Sequence, residues 1–131
     1  MTRYLIDTDW IIHYLHGHSQ IVERLTGLAG ESLGVSVISL AELFEGIYCS
    51  TDPTGNESAL NDFLSGCTIV GIDGETCRLF GKQRGQLRAA GKVVGDFDLM
   101  IGCTALRYDL PLFSNNKRHF EMIENLQIIS L

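Results

Sequence analysis

The chain has 131 residues, of which 45% are hydrophobic and 20% are charged, and its formal net charge at pH 7 is −6. This length suits one domain with one core, and the composition is that of a packed globular protein rather than a disordered one. The acidic balance excludes a protein that coats nucleic acid with a uniformly basic surface. We therefore expect residues 1–131 to form a single domain.

The sequence offers no apolar stretch long enough to cross a bilayer. Asp7 interrupts the N-terminal apolar run that a signal peptide would need. The cysteines lack the paired spacing of metal ligands and are Cys49, Cys67, Cys77 and Cys103. We expect a cytoplasmic protein with reduced thiols and no membrane association.

Apolar, β-branched segments alternate with helical patterns along the chain. In chain order we predict a strand at 4–6, a helix from about residue 9, a helix at 20–28, a strand at 33–37, a helix at 39–49, a loop at 50–56, a helix at 57–64, a strand at 67–72, a helix at 75–90, a loop at 91–95, a helix at 96–108 and strands at 110–114 and 126–129. The alternation is typical of βαβ units, so the predicted fold is α/β with a mostly parallel sheet of four to five strands.

Carboxylates follow the predicted strands, at the end of a parallel sheet where binding crevices form. Asp7 comes directly after the first strand and Asp9 two residues later, while Glu42 lies early in the helix after the second strand. Asp96 and Asp98 open a helix that is apolar nearly all round, so this helix should lie centrally in the fold. We expect these acids to meet at one edge of the sheet.

A fourth segment, Ser114-Asn115-Asn116, brings polar side chains to the same edge after the fourth strand. Clustered carboxylates repel one another and stay ionised together only beside cations. Mg²⁺ and Mn²⁺ favour such oxygen ligands. Metal-dependent phosphodiester hydrolysis is the reaction that this arrangement suits best.

Three of the acids also have a structural alternative. Asp9 and Asp96 are placed to act as N-caps of their helices. Ser39 with Glu42 fits a capping box, in which Glu42 reaches back to the start of its helix. Asp98 fits such a role less well, because a charge beside a very apolar helix needs a partner.

Four segments together resemble the PIN domains, and within them the VapC-type toxins of prokaryotic toxin–antitoxin pairs. Their order and spacing carry the resemblance, which spans essentially the whole chain. The segments are Leu5-Ile6-Asp7-Thr8-Asp9, Ser39-Leu40-Ala41-Glu42-Leu43 with Gly46, Gly95-Asp96-Phe97-Asp98-Leu99-Met100-Ile101-Gly102, and Phe113-Ser114-Asn115-Asn116-Lys117-Arg118-His119-Phe120.

The resemblance implies a PIN-like α/β/α sandwich and a divalent-metal-dependent endoribonuclease, with a cognate small antitoxin and a homodimer as further expectations. By the same resemblance, Asp7 and Asp98 are the main ligands of Mg²⁺ or Mn²⁺, and Glu42 completes the site directly or through water.

Asn116 departs from the family pattern, because many members carry a fourth acid there. An amide brings no negative charge, which leaves a one-metal and a two-metal site both open; Asp9 or Asp96 are candidates to restore the charge. We count Asn116 with the three acids as catalytic. The auxiliary candidates are Thr8, Asp9, Asp96 and Asn115.

Basic side chains cover an arc of about 160° on the predicted helix at 75–90 and its end. Lys117, Arg118 and His119 add positive charge next to Asn116. Such a face is either an ordinary solvated surface or one that follows RNA phosphates beside the acids. The candidate RNA-binding residues are Arg78, Lys82, Arg84, Arg88, Lys92, Lys117 and Arg118.

Two other hypotheses fit parts of the pattern. A phospho-accepting receiver module would use Asp73 and Lys117, but it leaves Asp98 and Glu42 without a role. A PIN scaffold without catalysis, acting only as a binding partner, is favoured by Asn116. Retention of three mutually repelling acids argues against it.

Overall fold

Strands and helices alternate along most of the chain. The structure is a computed structural model that describes residues 1–28 and 32–131. In chain order its elements are β1 (Tyr4–Ile6), α1 (Thr8–Leu15), α2 (Ser19–Thr26), β2 (Leu33–Ser36), α3 (Val37–Tyr48), α4 (Pro53–Leu64), β3 (Thr68–Val70), α5 (Gly74–Ala89), α6 (Asp96–Arg107), β4 (Leu112–Phe113), α7 (Lys117–Phe120) and β5 (Ile128–Ile129).

The strands that the structure describes form one sheet in the order β3-β2-β1-β4-β5. Each pairing is parallel: Leu5 lies opposite both Gly34 and Leu112, and Phe113 lies opposite Ile129. The parallel sheet and the predicted last edge strand are thereby confirmed. Because the strands run the same way, the carboxyl ends of β1, β2 and β4 meet at one edge.

Two hydrophobic cores lie on opposite faces of the sheet. Leu5 and Leu112 belong to the first core, which α5 and α6 cover. Ile6 and Phe113, the next residues along the same strands, belong to the second core, which α1 to α4 cover. This alternation follows from the two-residue period of a strand and confirms the α/β/α sandwich.

Helix α6 is deeply buried, as its apolar sequence predicts. Six of its residues are buried, and Gly102 lies so close to Ile123 that an added Cβ would meet its Cδ1 at 2.5 Å. The close approach anchors the middle of α6 in the first core. Its first turn, which carries Asp98, is thereby brought to the edge of the sheet.

At two helices, α1 and α6, the cap residue lies one or two positions before the Asp that was considered for it. Asp7, not Asp9, caps α1, and its Oδ1 accepts a hydrogen bond from Thr8 N at 2.8 Å. Gly95 precedes α6, so Asp96 is its first residue rather than its cap. The structural alternatives for Asp9 and Asp96 are therefore wrong.

The capping box predicted for α3 is also wrong. Ser36 caps this helix, and its Oγ accepts a hydrogen bond from Ser39 N at 3.0 Å. Glu42 accepts a hydrogen bond from Thr8 Oγ1 at 2.7 Å instead of reaching back along its own helix. Glu42 is therefore directed toward α1.

The loop predicted at 50–56 is partly helical. Helix α4 begins at Pro53, and the carboxylate of Asp52 accepts a hydrogen bond from Gly55 N at 3.1 Å. A capping Asp followed by Pro is a helix-start signal, because the missing N–H of Pro costs nothing at the first helical position. The short helix α7 after Asn116 was not predicted either.

The four cysteines are free thiols, as expected. Burial raises the pKa of Cys67 and of Cys103 to about 11, whereas Cys49 and Cys77 are exposed rather than packed in the core. Within the described ranges, no helix combines the length and the apolarity needed to cross a membrane.

Candidate active site

The carboxylate of Asp7 lies at the carboxyl end of β1 and is only 4% exposed. Its Oδ1 accepts a hydrogen bond from Thr8 N, and its Oδ2 accepts one from Ser114 Oγ, both at 2.8 Å. Ser114 directly follows β4, the strand next to β1. The ends of two adjacent strands therefore fix the orientation of this carboxylate.

Asp9 lies beside Asp7 at the same edge. Its Oδ2 accepts a hydrogen bond from Asn115 N at 3.2 Å, whereas its Oδ1 is buried and has no hydrogen-bond partner among residues 1–28 and 32–131. Burial, together with the charge of Asp9, raises the pKa of Asp7 to about 8. A buried carboxylate beside a partly buried one, whose Oδ1 is enclosed, forms a place where a cation would relieve the repulsion.

Glu42 approaches the site from α3, and Thr8 Oγ1 donates a hydrogen bond to it. Burial raises the pKa of Glu42, and the charges of Asp98 and Glu45 raise it further. The repulsion between Glu42 and Asp98 shows that these two carboxylates are close enough to interact.

Asp98 is held by residues that follow β4. Its Oδ2 lies 3.0 Å from Nδ1 of His119, and this nitrogen lies 3.0 Å from Nδ2 of Asn116. The backbone N–H of Asn116 donates to Ser114 Oγ at 3.0 Å. A line of polar contacts therefore leads from Asp98 back to Asp7. Within it, Nδ1 of His119 either donates to Asp98 or accepts from Asn116, depending on the tautomer of the ring.

His119 is a site residue whose contact with Asp98 was missed by the sequence analysis, which counted it only as positive charge. The signal that pointed to it was its spacing, because three residues after Asn116 is one turn of a helix. Without the prediction of α7, that spacing carried no meaning.

Asn115 supports the site rather than lining it. Its Oδ1 accepts hydrogen bonds from Trp10 Nε1 at 3.0 Å and from Leu131 N at 2.9 Å. Trp10 is fully buried in the second core. Asn115 therefore ties the loop after β4 to α1 and holds its own backbone N–H against Asp9.

The structure does not bring Asp96 to the other acids. Its side chain is 83% exposed and pairs with Nη2 of Arg84 at 2.5 Å. Arg84 is itself only 16% exposed, unlike the other basic candidates. The exposed candidates are Arg78, Lys82, Arg88, Lys92, Lys117 and Arg118.

The donor set suits a divalent ion held partly by water. Among the residues that the structure describes, no three Asp, Glu, His or Cys side chains form a ready-made metal cage. The acids interact instead in two pairs, Asp7 with Asp9 and Glu42 with Asp98. Mg²⁺ in proteins is usually held by one or two carboxylates with waters completing its shell, so this arrangement fits such an ion.

A model of the PIN domain family matches residues 4–125 of the chain. The chain belongs to the PIN domain family. It is 34% identical over 124 residues to ribonuclease VapC2 of Haemophilus influenzae. The aligned region covers 94% of this chain and 93% of that protein. It is 35% identical to ribonuclease VapC1 of Methanocaldococcus jannaschii, with 94% and 82% covered.

Solved structures of the PIN domain family agree with the fold. The crystal structure of VapBC2 from Rickettsia felis, bound to a DNA fragment from its promoter, matches with a TM-score of 0.92 and 28% identity over 99% of both chains. DNA-bound VapBC from Salmonella typhimurium matches with a TM-score of 0.92 and 28% identity, over 99% of this chain and 98% of the other. The expected PIN-like fold and ribonuclease function are confirmed, and ribonucleases of this family depend on a divalent metal.

The receiver hypothesis is wrong. Asp73 follows β3, an edge strand, and its side chain accepts from Thr76 N at the start of α5. Its carboxylate also accepts hydrogen bonds from Nε and Nη2 of Arg107, which hold the pKa of Asp73 well below its usual range. A carboxylate engaged in this way is not free to accept a phosphoryl group.

Proposed function

We propose that the chain is a toxin endoribonuclease that hydrolyses RNA phosphodiesters with Mg²⁺ or Mn²⁺ held by Asp7, Asp98 and Glu42. The observation that carries the proposal is the buried Asp7 carboxylate with the unpaired oxygen of Asp9 beside it. Burial and the neighbouring charge oppose the ionisation of Asp7, so a cation that favours the ionised form has a physical reason to bind there.

An ion held by these residues would supply positive charge to activate water and to stabilise the oxygen that leaves the phosphodiester. The chain supplies the orientation of the ligands. Ser114 Oγ and Thr8 N fix the two oxygens of Asp7, and Thr8 Oγ1 fixes Glu42. Thr8 therefore serves two ligands at once and has a positioning role.

Asn116 contributes a hydrogen-bonding amide instead of a fourth charge. Its side chain contacts His119, and His119 contacts Asp98, so it acts on the ligand that α6 provides. We place Asn116 next to the scissile phosphate, where an amide donor reduces the repulsion between acids and substrate. Because position 116 carries no negative charge, we propose that the site binds one metal ion rather than two. The carboxylate of Asp9 compensates in part for the missing charge.

We propose that RNA phosphates follow the exposed basic residues of α5 and α7 toward these acids. These side chains, which lie in solvent, are Arg78, Lys82, Arg88, Lys92, Lys117 and Arg118. Transfer RNA is the first substrate to test. The reason is that a relative from Shigella flexneri, 28% identical over 97% of this chain, is named a tRNA(fMet)-specific endonuclease VapC.

A groove of about 280 Å³ between α1, α3 and α4 is our candidate binding site for an antitoxin. Its apolar lining includes Ile12, Leu15, Leu43 and Ile47, and Glu42 also lines it. An antitoxin segment with an apolar face and one basic side chain fits both features. Solved relatives are toxin–antitoxin complexes, which supports this choice of partner.

We also propose that residues 1–131 are one PIN domain that forms a homodimer. The match of the family model to residues 4–125 supports the first part. Val93 and Phe97, which are 82% and 52% exposed beside the start of α6, are candidates for the dimer contact. Sedimentation of the wild type and of Val93→Glu tests the second part, because a charge at that contact would produce monomers.

Cleavage of purified tRNA tests the function. The wild type should cut with manganese and should not cut with a chelator. Asp98→Asn should abolish cleavage, whereas the matched control Asp62→Asn, at an exposed position on α4, should leave it intact. Manganese binding without cleavage of any RNA would contradict the proposed RNA-cleaving activity. The absence of both manganese binding and cleavage would favour a scaffold without catalysis.

A further inference from the structure

Arg84 differs from the other basic residues of α5 in being largely enclosed. Its Nη1 donates to the backbone oxygen of Val94 at 2.8 Å, and its Nη2 donates to Asp96 Oδ1 at 2.5 Å. The guanidinium carbon lies 5.4 Å from the centre of the Phe80 ring. Both terminal nitrogens of this cation, and its approach to an aromatic ring, are thus engaged by the protein itself.

The two acceptors lie on either side of Gly95, the residue that directly precedes α6. Val94 is 2% exposed and belongs to the first core, whereas Asp96 is the first residue of α6. Gly95 has no side chain, so the residue at the cap position cannot make a side-chain hydrogen bond to this helix. Arg84 therefore fixes the direction in which the chain enters α6, which a capping residue would otherwise do.

The start of α6 determines where Asp98 points. Asp98 lies two residues after Asp96, within the first turn, and the middle of the helix is anchored by the packing of Gly102 against Ile123. A helix held at its start and its middle has little freedom to rotate or unwind at its first turn. The Asp98 carboxylate is consequently kept against His119.

The charge of Arg84 is also largely neutralised within the protein. Asp96 neutralises it at 2.5 Å, so the pair presents little net charge to a phosphate. The planar guanidinium meets two acceptors at once, which the single ammonium group of a lysine cannot do in the same geometry.

We propose that Arg84 is a positioning residue, which holds the start of α6 so that Asp98 is preorganised to bind the metal. The proposal rests on the proposed function, because it requires Asp98 to be a ligand. It predicts a role in metal affinity and turnover, not in the attraction of RNA.

Manganese affinity by calorimetry, together with kcat and KM for tRNA cleavage at several salt concentrations, tests the proposal on the full chain. Arg84→Gln should weaken manganese binding by about 10-fold, the range seen for residues that support metal ligands. It should lower kcat while the salt dependence of KM stays that of the wild type. Arg84→Lys should restore only part of the affinity. The matched change Arg88→Gln, one turn along the exposed face of α5, should show the opposite pattern, with normal manganese affinity and a weaker salt dependence.

The change Asp96→Asn keeps the test decisive if Arg84→Gln fails to fold, because Asp96 is exposed. This change weakens the contact of Arg84 with residue 96 and leaves its hydrogen bond to the Val94 oxygen in place. It should weaken manganese binding by a smaller factor. Unchanged manganese affinity in the folded Arg84 and Asp96 variants, with a weaker salt dependence in Arg84→Gln, would overturn the proposal and make Arg84 an RNA contact. Absence of manganese binding by the wild type is a different result, which would remove the proposed function and this inference with it.

Discussion

Nδ1 of His119 lies 3.0 Å from Oδ2 of Asp98, so a residue of α7 and a residue of α6 act as one unit. In the tautomer with a proton on Nδ1, the ring donates a hydrogen bond to this carboxylate. The contact fixes the rotamer of Asp98 from the side opposite to its own helix. It also links the loop after β4 to the residue that we propose as a main metal ligand.

Replacement of His119 should therefore lower metal affinity. We expect His119→Ala to weaken manganese binding by about 10-fold, because the support of Asp98 is lost. His119→Asn should retain most of the affinity, since its amide nitrogen reaches the place of Nδ1. Calorimetry measures both. Equal affinities for the wild type and His119→Ala would mean that the contact with Asp98 has no role in binding.

The metal-free protein should lose stability as the pH rises from about 4 to about 8. Asp7 has a raised pKa of about 8 in the folded protein and an ordinary value of 3.8, so the folded state binds one more proton between these values. The free energy of unfolding should then fall by up to about 1.4 kcal/mol per pH unit.

Denaturant unfolding at several pH values, with chelator present, measures this slope. Asp7→Asn cannot ionise and should flatten the profile, while Asp62→Asn should leave it unchanged. A flat profile in the wild type would show that Asp7 is ionised in the folded protein even without metal.

Asn116→Asp tests the missing fourth charge. The change places a carboxylate next to His119, the residue that also contacts Asp98. We expect tighter manganese binding, because a further acid lowers the free energy of a bound cation. Titration calorimetry gives the affinity and the number of ions bound. An unchanged affinity would count against a role for position 116 in binding the ion.

The exposed basic residues should control the salt dependence of RNA binding. We expect Arg88→Ala to reduce the slope of log affinity against log salt by about 1, as for the loss of one phosphate contact. Arg3→Ala, an exposed change at the N-terminus, is the control and should leave the slope unchanged. Binding measured with the Asp98→Asn protein avoids cleavage during the titration. Identical slopes for Arg88→Ala and the wild type would mean that Arg88 lies in solvent and does not contact RNA phosphates.

The sequence by itself determined the alternation of elements, the parallel sheet and the edge at which the acids gather. These features follow from local periodicity and from the rule that strands of one direction end together. The apolar run of α6 was enough to place this helix at the centre. The resemblance in four segments then indicated the family, and with it the metal-dependent cleavage of RNA.

Only the tertiary structure decided which partner each polar side chain has. The caps of α1 and α3 depend on where the backbone turns, which differs by a few residues from the helix starts in the pattern. The two auxiliary candidates Asp9 and Asp96 lie in different places: Asp9 lies beside Asp7 with one oxygen buried, whereas Asp96 is exposed beside Arg84. His119 and Arg84 gained their contacts with Asp98 and Asp96 through folding. Contacts between residues 12 and 21 positions apart depend on how the helices pack, and no local pattern in the chain encodes that packing.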